Sequence, residues 1–85
     1  MTVYLLHFSE RINPTRPTRH YLGWTDDLDT RIRQHRRGKG SRFCEVARER
    51  GISFTLAEVW SGDRSLERQL KRQKNSPMFC PICNR

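Results

Sequence analysis

The segment from Thr2 to Ser9 (TVYLLHFS) is apolar and rich in residues that favour strands, which predicts a central β-strand near the start of the chain. The chain around this strand is short, with 85 residues of which 34% are apolar. That content can cover one sheet face and one side of a few helices, so we expect residues 1–85 to form a single domain. No apolar run approaches the roughly 20 residues that a membrane span needs.

The remaining pattern predicts two further strands and three helices. A loop that holds Pro14 and Pro17 follows the first strand, and this connection is short enough for an antiparallel pair with the next strand. Strands are expected over residues 19–24 and 52–60, and helices with their caps over 25–38, 41–51 and 62–74. The order β-β-α-α-β-α indicates an α/β (α+β) domain with a small three-stranded sheet flanked by helices.

Charge indicates the class of partner. Seventeen basic residues against nine acidic ones give a net charge of +8, and fourteen of the basic residues are arginine. Because guanidinium groups bind phosphates in a bidentate way, a small Arg-rich domain favours nucleic acid as its partner. A basic surface kept for solubility is the alternative. The N-terminus carries no secretory pattern, and the cytoplasm is the expected location.

Polar side chains at several positions of the predicted elements would suit phosphodiester hydrolysis if they converge. They are two strand tyrosines, two residues one turn apart on the first helix, and two residues one turn apart on the last helix, namely Tyr4, Tyr21, Arg31, His35, Glu67 and Lys71, with Asn75 a turn later. A carboxylate can hold Mg²⁺ with few protein ligands, an arginine can stabilise charge on a phosphate, and a phenol or imidazole can activate water.

Each of these residues also has a purely structural interpretation. The tyrosines suit strands, and Glu67 with Lys71 suits an ordinary helix ion pair. Arg31 could be a solvated arginine, and His35 could be a core histidine. The pattern alone does not decide between the two interpretations.

The motifs resemble those of the GIY-YIG nuclease superfamily. Val3-Tyr4-Leu5 and Tyr21-Leu22-Gly23 stand where that family has its two strand motifs, followed by the helix motif with Arg31 and a His four residues later. Glu67 with Lys71 resembles the acidic motif of the later helix, and Asn75 stands where an Asn often follows. The resemblance covers residues 3–75, and the compact form is most similar to small stand-alone members related to the nuclease domain of the bacterial excision-repair incision subunit.

The resemblance implies a small sandwich around a three-stranded antiparallel sheet and a metal-dependent endonuclease, most readily of DNA. Glu67 would bind one Mg²⁺ or Mn²⁺ ion, and Arg31 would hold the scissile phosphate. Tyr4 would act near the nucleophilic water, as general base only if metal and guanidinium charges lower its pKa. Tyr21 would assist through its hydroxyl, and His35 would orient groups or exchange protons. Gly23 and Asn75 would support the site.

This sequence departs from the family pattern in its first two motifs. Thr2 replaces the first glycine, Val3 an isoleucine and Leu22 another isoleucine. Because the catalytic types are retained, an active enzyme is favoured over a non-catalytic nucleic-acid-binding module, which stays as the alternative function.

Two basic clusters are expected to flank the site and to follow the phosphate backbone. The residues assigned to nucleic-acid binding are Arg33, Arg36, Arg37, Lys39, Arg42, Arg68, Lys71, Arg72 and Lys74. Contacts of this kind set position and carry no sequence information. Sequence preference should therefore be weak unless nucleic-acid structure or a protein partner supplies it.

The tail, residues 76–85, ends in a CxxC unit formed by Cys80 and Cys83. A structural zinc site needs four ligands, and the nearest additional candidates are Cys44 and the histidines. With one CxxC pair, a tail packed through its apolar side chains is favoured over a zinc site. A small zinc-bearing interaction protein is thus a third, less favoured function.

Overall fold

A computed structural model describes residues 1–12, 19–73 and 79–83 of the chain. In these residues the elements are β1 (Thr2–Phe8), β2 (His20–Thr25), α1 (Leu28–Arg36), α2 (Arg42–Glu49), β3 (Phe54–Ser61) and α3 (Arg64–Arg72). They form a three-stranded sheet in the order β2-β1-β3, with both pairs antiparallel. The predicted fold class and element order are confirmed. Two candidate residues, Lys74 and Asn75, lie outside the described residues.

The helices begin where short polar side chains can cap them. Asp27, Ser41 and Asp63 each accept a hydrogen bond from a backbone N–H of the following turn, at 3.2, 3.1 and 2.9 Å. These bonds satisfy amide donors that the first helical turn leaves unpaired. Gly38 and Gly51, which follow α1 and α2, have φ values of 77° and 70°, a backbone conformation that favours glycine.

Strand β1 is buried on both faces, and successive side chains point to opposite sides of the sheet. Tyr4, Leu6 and Phe8 pack into one core with residues of α1 and α2. Val3 and Leu5 pack into a second core with Leu66 and Leu70 of α3 and with the tail, which contributes Phe79, Cys80 and Ile82. One apolar strand therefore serves two cores, which lets a chain with few apolar residues bury a sheet on both sides.

Strand β3 starts two residues later than the sequence predicts. Ile52 is buried but precedes the strand, and the pairing with β1 is irregular because Leu5 pairs with Glu58 while Leu6 pairs with Leu56. The extra β3 residue at this point is a β-bulge, which changes the face on which the following side chains lie.

Within the described parts of the chain, no helix is long and apolar enough to cross a membrane.

Candidate functional site

A polar cleft of about 320 Å³ lies where side chains of β1, β2, α1 and α3 meet. Its lining includes Tyr4, Tyr21, Arg31 and Glu67, which are four of the five residues that the sequence assigns to catalysis. The fifth, His35, contacts Tyr4 from the core side. The fold thus brings together residues that are up to 63 positions apart in the chain.

Tyr4 is held by a buried hydrogen bond to His35. The Tyr4 hydroxyl lies 2.6 Å from His35 Nε2, and the two side chains are 1% and 2% exposed. His35 Nδ1 lies 3.0 Å from the carbonyl oxygen of Lys39. Because a carbonyl only accepts, Nδ1 carries the proton and Nε2 of the neutral ring accepts from the Tyr4 hydroxyl. The geometry therefore assigns the tautomer of His35 and the direction of the Tyr4 bond.

The loop after α1 determines this tautomer. Gly40 has φ +89°, and a Cβ built on it would lie 3.1 Å from His35 Cε1 and 3.2 Å from Nδ1. A glycine here lets the backbone pass close over the imidazole, so that the Lys39 carbonyl can reach it. The sequence predicted a phosphate-contacting side chain at Lys39 and no role for Gly40. Neither the carbonyl contact nor the close passage could be read from residue types.

Gly23 has a steric role beneath the Tyr4 ring. It pairs directly with Tyr4 across β1 and β2, and a Cβ on Gly23 would lie 2.6 Å from the Tyr4 hydroxyl oxygen. Such a contact is too short for any side chain, so only glycine leaves space for the phenol. This approach gives a physical basis to the supporting position expected for Gly23.

Tyr21 completes an aromatic group on the same sheet face. Its ring centroid lies 6.3 Å from that of Tyr4 and 5.4 Å from that of His35, the latter in an edge-to-face arrangement. Phe43 of α2 packs against Tyr21 at 6.1 Å. Burial raises the pKa of Tyr21, so its hydroxyl is neutral at physiological pH and can donate a hydrogen bond.

Burial, not charge, dominates the ionisation of Tyr4. It raises the pKa of Tyr4 well above the ordinary value, and the nearby Arg31 guanidinium opposes this shift only in part. Burial also lowers the pKa of His35, with Arg31 lowering it further. Tyr4 is expected to act as a general base only if nearby positive charges lower its pKa. The charged groups of the protein do not lower it below the ordinary value. The neutral His35 ring is the proton acceptor that this arrangement offers.

Glu67 projects from α3 into the cleft. Its side chain is 13% exposed, and one carboxylate oxygen lies 3.2 Å from the ammonium of Lys71, whose side chain is 55% exposed. The i,i+4 ion pair is thus present, yet Glu67 also lines the cleft beside Tyr4, so the two interpretations of this pair are not exclusive. Asp26, which the sequence places at the start of α1 without a role in the site, lines the same cleft.

Five of the basic residues assigned to nucleic-acid binding lie on α1 and α3, which border the cleft through Arg31 and Glu67. Arg37 and Lys39 lie after the end of α1, and Arg42 begins α2. Eight of the nine residues assigned to nucleic-acid binding are described, and all eight are exposed: Arg33, Arg36, Arg37, Lys39, Arg42, Arg68, Lys71 and Arg72. Some also contact the protein itself. Arg42 pairs with Glu45 at 3.1 Å, and the Arg36 guanidinium lies 4.6 Å from the Phe54 ring centroid.

A second polar cluster lies on the other face of the sheet. The ligand atoms of His7, His20, Cys80 and Cys83 all lie within 4.8 Å of one another, which is an arrangement that can hold a metal ion. The sequence favours a packed tail over a zinc site because it holds one CxxC pair, with Cys44 and the histidines as the nearest candidates for the two additional ligands. The fold supplies them from β1 and β2, while Cys44, the other candidate, is buried in the opposite core. That objection to zinc is therefore removed.

No model of a known protein family matches the chain, and no curated protein or solved structure matches it either.

Proposed function

We propose that this protein is a divalent-metal-dependent endonuclease that hydrolyses phosphodiester bonds of nucleic acid. The observation that carries the proposal is the convergence of Tyr4, Tyr21, Arg31 and Glu67 on one cleft, with His35 bonded behind Tyr4. A structural role for each residue separately would not require a phenol, a guanidinium and a carboxylate to share one polar cavity. The choice of DNA over RNA rests on the family resemblance alone.

Activation of water is assigned to Tyr4 and His35 as a pair. A water in the cleft donates to the Tyr4 hydroxyl oxygen while the hydroxyl proton passes along the 2.6 Å bond to His35 Nε2. His35 then carries protons on both ring nitrogens, and the Lys39 carbonyl continues to accept from Nδ1. Proton loss from water is thus balanced by proton gain at an imidazole, and no phenolate needs to persist in a buried site.

Arg31 and Glu67 serve the phosphate. Arg31 lines the cleft and can donate two parallel hydrogen bonds to phosphate oxygens, on which negative charge develops during displacement. Tyr21, a neutral phenol beside Tyr4, can donate a further hydrogen bond to the phosphate or to the attacking water.

Glu67 fits an Mg²⁺ or Mn²⁺ ion because these ions prefer oxygen ligands and complete their shells with phosphate and water. Among the described residues, Glu67 does not belong to a cluster of three or more side chains that could bind one metal ion. Substrate and water would therefore supply most of the ligands of an ion at Glu67. When bound, such an ion stabilises charge on the phosphate oxygens. The Lys71 ammonium beside Glu67 holds the carboxylate in position towards the cleft.

The proposed substrate class also rests on charge. A net charge of +8 and the exposed arginines of α1, α2 and α3 favour a polyanion that passes across the cleft. These groups contact phosphates, so cleavage is expected to show weak sequence preference.

The test is cleavage of labelled duplex, branched and single-stranded DNA and RNA, with Mg²⁺, Mn²⁺ or EDTA. We expect metal-dependent cuts that Glu67→Gln reduces by at least about 100-fold. Glu49→Gln, on the exposed end of α2, is the matched control and should cut like the wild type. Binding without cleavage by the wild type on every substrate would instead identify a non-catalytic nucleic-acid-binding module. Equal cleavage by both variants would exclude Glu67 from the site.

A further inference from the structure

We propose that His7, His20, Cys80 and Cys83 form a structural zinc site that fixes the C-terminal tail to the β1–β2 end of the sheet. This inference is independent of the nuclease proposal, since none of the four residues lines the cleft.

Four of the six distances among the ligand atoms agree with a tetrahedral centre, and all six are within 4.8 Å. His7 Nδ1 lies 3.2 Å from His20 Nε2, 3.5 Å from the Cys80 sulfur and 3.6 Å from the Cys83 sulfur. His20 Nε2 lies 3.4 Å from the Cys83 sulfur. Bond lengths of about 2.0 Å to nitrogen and 2.3 Å to sulfur in a tetrahedron would give about 3.3 Å between nitrogens and about 3.5 Å between nitrogen and sulfur.

Hydrogen bonding does not explain the cluster. His7 Nδ1 lies within 3.6 Å of three partners at once, the Nε2 of His20 and the sulfurs of Cys80 and Cys83. A ring nitrogen carries either one proton or one lone pair, so it can make one such bond and not three. Four ligand atoms within 4.8 Å of one another are an arrangement that can hold a metal ion.

Local structure holds each pair of ligands in place. His7 and His20 are directly paired residues of the antiparallel strands β1 and β2, so their side chains lie side by side on one face. In the tail, the Cys83 N–H donates to the Cys80 carbonyl at 3.1 Å, which closes a tight turn around the CxxC unit. A two-residue spacer of this kind is typical of zinc ligands.

The donor set selects zinc. Two thiolates and two imidazoles suit Zn²⁺ and exclude Mg²⁺, which prefers oxygen. Four protein ligands leave no open position for a substrate, so the ion is structural.

The site would anchor a tail that completes the second core. Cys80 is fully buried there, and Phe79 packs edge-to-face on Trp60 with ring centroids 6.1 Å apart. Ile82 packs against the same core. An 85-residue chain buries a limited surface, and a metal that ties the tail to the sheet would add the stability that the small cores lack.

The experiment is metal analysis of the purified full-length protein together with Co²⁺ substitution. We expect about one zinc ion per chain after dialysis, and thiolate-to-metal charge-transfer and tetrahedral Co²⁺ absorption bands when Co²⁺ replaces it. Cys83→Ser should lose its zinc during dialysis. With Co²⁺ added, this variant should lack the charge-transfer intensity that the Cys83 sulfur contributes in the wild type. Cys44→Ala, which removes a thiol from the opposite core, should keep both.

Two results would overturn the proposal. One is wild-type protein that holds no stoichiometric zinc and gives no charge-transfer band with Co²⁺, a measurement that needs no variant to fold. The other is Cys83→Ser protein that binds zinc as the wild type does. Because Cys83 is exposed, circular dichroism of this variant should stay close to that of the wild type, so lost zinc would report lost ligation.

Discussion

The hydroxyl of Tyr4 and the Nε2 atom of His35 lie 2.6 Å apart, although 31 residues separate them in the chain. This bond joins the central strand to the end of α1 inside the core. It makes the imidazole, and not solvent, the partner of the phenol, and it connects the cleft to a neutral ring nitrogen that can accept a proton from the hydroxyl.

Removing the Tyr4 hydroxyl should abolish most activity without unfolding the protein. In Tyr4→Phe the ring keeps its packing but the proton path from water to His35 is lost. We expect a fall of about 10²- to 10⁴-fold in the single-turnover cleavage rate. Tyr21→Phe, which leaves the Tyr4–His35 bond in place, should have a smaller effect. Unchanged cleavage by Tyr4→Phe would remove this residue from the reaction.

The pH dependence should report His35. Burial and Arg31 lower the pKa of His35 below its ordinary value of 6.5, while Tyr4 and Tyr21, which also face the ring, stay neutral. The ring is therefore neutral and able to accept a proton at pH 6.5, and activity should fall only at lower pH. Cleavage rates at constant ionic strength would show the acid limb, and a midpoint above 6.5 would contradict this assignment.

A side chain at position 23 should displace Tyr4. Because a Cβ there would lie 2.6 Å from the Tyr4 hydroxyl oxygen, Gly23→Ala should lower the free energy of unfolding by about 1–3 kcal/mol and reduce cleavage. Gly51→Asn is the matched control, since a Cβ at Gly51 would meet nothing within 4 Å and Asn tolerates its positive φ. Denaturant melts of both variants would test the difference, and equal stability would argue against the close contact.

Chelation should destabilise the protein if zinc holds the tail. Treatment with a strong zinc chelator is expected to lower Tm by at least about 10 °C in the wild type, because loss of a tightly bound ion removes several kcal/mol. Cys83→Ser should start from the lower Tm and show no further change. Adding Mg²⁺ alone should not restore the wild-type Tm, whereas adding Zn²⁺ should.

Binding of nucleic acid should depend steeply on salt. Each neutralised phosphate releases counterions, so replacing Arg33 and Arg37 by Ala should reduce the slope of log K against log salt by about 2. Arg11→Ala, in an exposed position outside the helices, should leave the slope unchanged. Fluorescence anisotropy at several salt concentrations would measure this, and a slope insensitive to Arg33 and Arg37 would place the phosphate path elsewhere.

Local signals allowed much of the fold to be predicted, and contacts distant in sequence account for what was missed. Asp27, Ser41 and Asp63 mark helix starts because a cap bonds within its own turn. The bulge in β3 depends on how that strand fits β1, which no local pattern carries. His7 and Cys80 lie 73 residues apart, and only the pairing of β1 with β2 and the return of the tail bring them together. The CxxC unit and the histidines could be seen in the sequence as candidate ligands, but which histidines lie beside the two cysteines could not.

Alternation along β1 puts Tyr4 on the face of the cleft and His7 on the face of the tail. A deletion or insertion of one residue between them would reverse the direction of one side chain relative to the other. The spacing of three is therefore constrained in parity as well as in length. Single substitutions can be tolerated along this strand. An insertion or deletion of one residue between Tyr4 and His7 would instead remove either the tyrosine from the cleft or the histidine from the cluster that holds the tail.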